Sequence, residues 1–223
     1  MKYPIITILG PTASGKTTLA VKLAYQIDAE IISADSRQVY KGMDIGTGKD
    51  LSEYFFNEKK IPYHLIDIAE AGTEYNVFQY QQDAHHALNE IKKRGKNVVF
   101  CGGSGMYIEA VLKGYKLFEV PENRELREDL TLKTDEELII LLQQYRSLHN
   151  QTDSSERARL IRAIEIENYY QQHPVATQYN KPTDSMIFGI KGDRDVIRQR
   201  ITHRLKERLE NGMIEEVETL IQQ

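Results

Sequence analysis

Eight residues near the start of the chain, Gly10-Pro11-Thr12-Ala13-Ser14-Gly15-Lys16-Thr17, have the types and spacing to hold a phosphate. They match G-x-x-x-x-G-K-[ST] at every constrained position and lie between an apolar run and a helical pattern, the setting in which that motif carries meaning. Glycines let the backbone turn its N–H groups inward around an anion, and the following helix adds its positive N-terminal end. Lys16 brings a compact cation to the phosphate oxygens, and Thr17 a hydroxyl ligand for Mg²⁺. A glycine-rich turn without function is the bland alternative, and the strand-loop-helix setting argues against it. Which phosphate compound binds, ATP or another, the motif leaves open.

A nucleotide hydrolase needs a second acidic metal site and a residue that positions water. The apolar run 97–101 ends in Cys101 and Gly102, with no carboxylate. Asp35, directly after the apolar run 31–34, is the acid best placed near the loop. A carboxylate at the carboxyl end of a strand suits a general base or a metal ligand. It suits equally well an Asp that caps the next turn.

Further along, Ile197, Ile201, Leu205 and Leu209 recur every four residues and predict the buried stripe of a helix. Arg200, Arg204 and Arg208 form a parallel basic stripe, and residues 191–208 hold seven basic residues against three acidic ones. For Arg204 and Arg208 the expectation is a solvated helix face. Arg159 and Arg162 lie three apart, on one helix face, suited either to phosphates and a splayed base or to plain solvent.

These groups need a scaffold. Runs at 5–9, 30–33, 64–68 and 97–101 read as strands, with helices over 17–25, 78–94 and 105–113. Alternation of this kind predicts an α/β fold, a parallel sheet covered by helices on both faces. From 115 to 184 the pattern turns polar and helical, an all-helical insertion between a first core part (1–114) and a returning part (185–223). Capping-box patterns at Thr134–Glu137 and at Asp153 with Glu156 open two of its helices. A strand at 186–191 then completes the sheet, and a basic helix over 195–211 stops at Gly212.

Bulk composition bounds the rest. With 223 residues, 28% charged and 40% hydrophobic, the chain has an ordinary globular balance. Its net charge of -4 leaves nucleic-acid contact to local basic patches. One cysteine, Cys101, rules out an internal disulfide and fits a reducing compartment. No run is long enough for a bilayer or a signal peptide, so a cytoplasmic protein with no membrane contact is expected. No Cys and His set has zinc spacing.

The block Asp35-Ser36-Arg37-Gln38-Val39-Tyr40-Lys41-Gly42-Met43-Asp44-Ile45-Gly46-Thr47 makes a resemblance visible. Together with residues 10–17, Gly102-Gly103-Ser104-Gly105-Met106-Tyr107, Pro62-Tyr63-His64-Leu65-Ile66-Asp67 and Arg159-Leu160-Ile161-Arg162-Ala163-Ile164-Glu165, it resembles the tRNA dimethylallyltransferase (isopentenyltransferase) family. The resemblance covers essentially the whole chain. It implies a P-loop NTPase-like core with a helical insertion that grips the anticodon stem-loop of tRNA. It implies transfer of a dimethylallyl group from dimethylallyl diphosphate to the exocyclic amine of the adenosine 3′ of the anticodon, with release of pyrophosphate. On this resemblance Asp35 serves the adenine amine, Lys16 and Thr17 with Mg²⁺ serve the diphosphate, residues 12–17 line the donor site, and Arg200 reaches the pyrophosphate. The positions matching tRNA contacts are Asp35, Ser36, Arg37, Gln38, Ser104, Arg127, Ala158, Arg159, Leu160, Ile161 and Arg162. A monomer is expected. The resemblance also implies a further basic and aromatic helical segment after Gln223. Ser104 stands where threonine is commonest in the family, with its hydroxyl retained.

Rival readings are an adenylate isopentenyltransferase acting on free nucleotide, a P-loop small-molecule kinase, and an RNA-binding fragment without activity. The large insertion and the 35–38 block favour the tRNA type over the first. A kinase needs a base site and a basic lid, and neither is legible.

Overall fold

β-branched runs separated by helices fold as parallel strands in the computed structural model, which describes residues 4–145, 156–173 and 182–222. In chain order the elements are β1 (Ile5–Leu9), α1 (Lys16–Ile27), β2 (Ala29–Ala34), a 3-10 turn (Leu51–Tyr54), β3 (Phe55–Phe56), β4 (Lys59–Lys60), β5 (Tyr63–His64), α2 (Val77–Lys93), β6 (Asn97–Gly102) and α3 (Gly105–Leu112). Then come α4 (Arg124–Thr131), α5 (Asp135–Tyr145), α6 (Arg157–Gln172), β7 (Ser185–Gly189), α7 (Arg194–Glu210) and α8 (Met213–Ile221). Two compact units result: Met1–Lys116 with Tyr179–Gln223, and Leu117–Gln178.

The first unit holds a five-stranded sheet in the order β5-β2-β6-β1-β7, every pair parallel. Both faces of its centre are dry, which explains the near-continuous apolar runs. Val98 and Phe100 pack with Ile32 against α2 and α3, while Val99 and Cys101 pack with Ile31 against Ala20, Val21 and Ala24 of α1. The returning strand β7 closes one edge beside β1, where Thr7 Oγ1 and Ser185 Oγ lie 2.7 Å apart. At the end of β6, a Cβ on Gly102 would meet the Ala34 carbonyl oxygen at 2.1 Å, so only glycine lets the two strand ends close up there.

Two expectations are corrected and one element is added. The strand predicted over 64–68 stops at His64, because Leu65 and Asp67 adopt left-handed backbone (φ 63° and 57°) that no strand continues. The hairpin of β3 and β4 was not anticipated, although Asn57 at φ 48°, followed by Glu58 at φ 61°, is the turn chemistry such a hairpin uses. The predicted buried stripe of α7 is not buried: Ile201, Leu205 and Leu209 are each more than 40% exposed. Periodicity shows that a helix has two stripes, and it does not say which one faces inward.

Helices are the regular elements of the second unit among its described residues, with Leu130, Leu138, Leu142, Leu160 and Ile164 as its core. The capping box at α5 forms as predicted, Glu137 N–H donating to Thr134 Oγ1 at 3.3 Å and Thr134 N–H to Glu137 Oε2 at 2.7 Å. Its counterpart at Asp153 lies outside the described residues. Glu165 is the buried charge of this unit among the described residues. Arg127 grips it with two hydrogen bonds (3.0 and 2.9 Å), Asn123 N–H donates at 2.6 Å, and Arg162 adds a further ion pair. Burial pushes its carboxyl up, but the bonds from Arg127, Asn123 and Arg162 together outweigh that and hold it below the usual range.

A carboxyl depressed in the folded state stabilises above its unfolded pKa, and that stability is lost as pH falls through the folded value. Glu165→Gln is therefore expected to cost about 1–3 kcal/mol at neutral pH. In pH-dependent urea unfolding, the gap between variant and parent should close below about pH 4; a constant gap would argue against the Glu165 cluster as its source.

Candidate active site

The phosphate loop bridges the carboxyl end of β1 and the start of α1. Ala13 (φ 61°) and Gly15 (φ 81°) take left-handed backbone there, curling the chain around its own N–H groups. Lys16 Nζ donates to Pro11 O at 3.1 Å, which folds the ammonium over the loop. Residues 12–17 line a cavity of about 250 Å³. Ser14 Oγ is buried without a hydrogen-bond partner among the described residues, an orphaned polar atom inside a phosphate cradle. Gly10 and Pro11 shape the loop from outside the cavity wall, a Cβ on Gly10 meeting Ser14 Oγ at 2.8 Å.

Asp35 lines the same cavity from the end of β2. Its Oδ1 accepts the N–H groups of Arg37 (2.9 Å) and Gln38 (3.4 Å), so the turn-capping role weighed from the sequence is present. That role occupies Oδ1, and Oδ2 accepts no hydrogen bond among the described residues. Ser36 N–H donates to Ser104 Oγ at 2.9 Å, so the 35–38 block and Ser104 meet at the mouth of β2 and β6. Arg37 and Gln38 also reach the cavity wall.

The opposite wall was not foreseen. Residues 46–50 line it, with Gln38 Nε2 donating to Gly48 O at 3.1 Å. Inside this segment Lys49 has a fully buried side chain whose Nζ donates to Tyr40 O (2.7 Å), to Asp44 Oδ1 (2.8 Å) and to Asp67 Oδ1. Lys49 sits among Gly and Asp in a turn-like stretch, where composition points to an exposed lysine. Tyr40 and Asp44 are near it in sequence, but Asp67, beyond the end of β5, completes the set, and no local pattern marks that third partner.

The α7 arginines also depart from expectation. Arg200 is exposed and outside the cavity wall, whereas Arg204 and Arg208, expected on a solvated face, line the cavity. Arg204 Nη2 donates to Asp50 Oδ2 at 2.9 Å. Arg208 packs so closely on Gly48 (φ 66°) that a Cβ there would lie 1.7 Å from Nη2. Burial first, and then neighbouring Arg204, pull the Arg208 guanidinium below its ordinary value, with Asp50 offsetting part of this. Glu53, also on the wall, is pushed up by burial and by Asp50, against Arg204 and Lys16. Cys101 is pushed up to about 12 by burial, which removes it as a thiolate nucleophile.

The remaining predicted positions lie in the helical unit. Leu160 and Ile161 have their side chains in the core of this unit, on the inward face of α6. Arg127 and Arg162 spend guanidinium donors on Glu165, and Arg162 Nη2 also donates to Val120 O at 2.7 Å. Ala158 and Arg159 are exposed, with Arg159 paired to Glu156 at 3.1 Å. Among the described residues no group of three or more His, Cys, Asp or Glu forms a metal cage. The cavity instead offers the Thr17 hydroxyl beside the phosphate cradle, a donor set that suits Mg²⁺ shared with phosphate oxygens.

Comparison with known proteins bears on this arrangement. The family model described as IPP transferase matches residues 38–223. The chain is 59% identical over 220 residues to tRNA dimethylallyltransferase 1 of Parabacteroides distasonis, covering 98% of this chain and 71% of that protein. It is 54% identical to tRNA dimethylallyltransferase 2 of Bacteroides fragilis, over 98% of this chain and 72% of that one. Among solved structures, the full-length tRNA isopentenylpyrophosphate transferase of Bacillus halodurans aligns with a TM-score of 0.67 at 31% identity, over 99% of this chain and 71% of that one. A eukaryotic dimethylallyltransferase acting on tRNA shares the fold at a TM-score of 0.78 and 22% identity.

Two outcomes are expected from the cavity wall. Arg208→Ala should weaken calorimetric binding of inorganic pyrophosphate roughly tenfold, through loss of charge-assisted hydrogen bonds; unchanged affinity would remove α7 from the site. Lys49→Met leaves Asp44 and Asp67 facing each other without their shared cation, and should lower stability to denaturant by about 2 kcal/mol.

Proposed function

The chain belongs to the IPP transferase family, and on that premise we propose that it transfers a dimethylallyl group from its diphosphate to tRNA, the activity for which its relatives are named. One observation carries the reading: Lys16, Arg204 and Arg208 converge on one cavity whose wall also bears Asp35. Burial first, and then the neighbouring Arg204, disfavour the charged Arg208 guanidinium in the free cavity. A bound polyanion offsets that penalty.

The donor diphosphate occupies the cradle of residues 12–17. As the allylic C–O bond breaks, its electron pair leaves with the diphosphate, and negative charge grows on the leaving group. Loop N–H groups, Lys16, Arg204 and Arg208 are already aimed at that charge, so they stabilise the transition state more than the ground state. Arg200 lies one helical turn before Arg204 on the same face and is the next cation in line. Mg²⁺, when bound through Thr17, supplies further positive charge to the same oxygens.

The acceptor is the exocyclic amine of the adenosine 3′ of the anticodon. Its nitrogen forms the new bond to the allylic carbon, and the proton it sheds passes to the Asp35 carboxylate. Oδ2 is the oxygen for that work, since Oδ1 caps the following turn. A stacked base must leave its stack to reach a recessed carboxylate, which is the reason a stem-loop is gripped by further elements. Arg37, Gln38 and Ser104 at the cavity mouth, and Ala158, Arg159, Arg162 and Arg127 in the helical unit, are the contacts assigned to tRNA. A kinase reading finds no support at the end of β6, where Cys101 and Gly102 leave no metal-binding carboxylate.

Labelling of an anticodon stem-loop with radioactive dimethylallyl diphosphate and Mg²⁺ tests the activity. Prenylation of free AMP alone, or phosphate transfer from ATP, would overturn it. Asp35→Asn keeps an oxygen for the turn and removes the base. It should lower kcat by about 10²–10⁴ with donor affinity nearly unchanged; an equal loss of donor affinity would reassign Asp35 to the metal.

A further inference from the structure

The segment 43–50 has two faces. Gly46, Thr47, Gly48 and Asp50 belong to the donor wall. On the other side, three consecutive N–H groups point at one carboxylate, that of Glu216 in α8. Oε2 accepts from Asp44 at 2.8 Å and from Ile45 at 2.6 Å, and Oε1 accepts from Gly46 at 2.9 Å. A backbone run that turns successive N–H groups to one side is an anion nest, and the anion here is a side chain some 170 residues away in sequence.

Internal bonds make the segment move as one piece. Thr47 Oγ1 donates to Met43 O, Gly48 N–H to Ile45 O (3.1 Å) and Lys49 N–H to Asp44 O (2.9 Å). A shift at 44–46 therefore carries 47–49 with it, and Gly48 is the residue on which Arg208 rests. α8 contributes no buried residue of its own, so Glu216 is not explained by packing of its helix. Its neighbour Gly212 (φ 95°) turns the chain from α7 into α8, so the helix that delivers Arg204 and Arg208 is joined directly to the one that delivers Glu216.

We propose that Glu216 is a positioning residue for the donor cavity: its carboxylate fills the nest at 44–46 and sets residues 46–48 against the α7 arginines. This rests on the reading of that cavity as the diphosphate site. Glu216 touches no reacting atom, and it acts through the backbone it holds.

The test compares the whole protein with Glu216→Ala and Glu216→Gln, with hydrogen exchange of the 43–50 amides and calorimetric affinity for pyrophosphate with Mg²⁺ as readouts. In Glu216→Ala the 44–46 amides should exchange at least about tenfold faster, and pyrophosphate should bind roughly tenfold more weakly. Glu216→Gln keeps one acceptor oxygen and should fall between the two. Added formate should slow exchange at 44–46 in Glu216→Ala and leave the parent unaffected, a rescue that general loosening of the fold does not give. Unchanged exchange in Glu216→Ala overturns the proposal, and so does faster exchange with pyrophosphate affinity intact. Failure of the parent itself to bind pyrophosphate would count against the diphosphate reading, whereas a parent that binds and a Glu216→Ala that matches it would count against Glu216 alone.

Discussion

Concentrated positive charge in a chain of net charge -4 is the constraint around which this molecule is arranged. Lys16 arrives on the loop before α1, while Arg204 and Arg208 arrive on α7 from the far end of the sequence. Their repulsion is tolerated because the surrounding sheet and helices fix their positions. β1 and β6 fix the loop, β7 returns the chain beside β1, and the helix after β7 then carries the arginines to the same place. Asp50, paired with Arg204, answers part of the charge on the wall, leaving an excess suited to a polyanion.

The segment 41–50 is the part that makes this a closed site rather than an open loop. Lys49 holds it from within, where a buried ammonium satisfies three oxygens. Gln38 ties it to the turn that Asp35 caps, so both sides of the cavity share one hydrogen-bonded frame. Charged groups serve as struts here because apolar side chains cannot orient a glycine-rich backbone, whereas directed hydrogen bonds can. The same economy appears in the helical unit, where Glu165 organises two arginines and a backbone N–H.

Much of the core was legible in the chain. The strands at 5–9 and 97–101 came through because a strand buried on both faces has no alternation to blur it. α2 ended at Gly95 and α7 at Gly212 because left-handed glycines stop helices. The loop at 10–17 was legible because its shape rests on left-handed backbone at Ala13 and Gly15, and such backbone needs are written in glycines at fixed spacing. Where folding depended on left-handed non-glycine residues, at Leu65 and Asp67, the reading ran a strand too far.

What the sequence alone determined, then, was the turn at 10–17, the alternation that places it at a strand end, and the helices of the described part of the second unit. All of these depend on neighbours within a few residues. Tertiary structure decided which part of the basic stripe of α7 reaches the cavity, so that Arg204 and Arg208 line it and Arg200, a turn earlier, does not, and it decided that Lys49 is buried and that Leu160 and Ile161 are core. Periodicity defines faces, but the direction a face turns is set by partners such as Asp50, Asp67 and Glu165. Those partners are chosen by the fold across distances that no local pattern encodes.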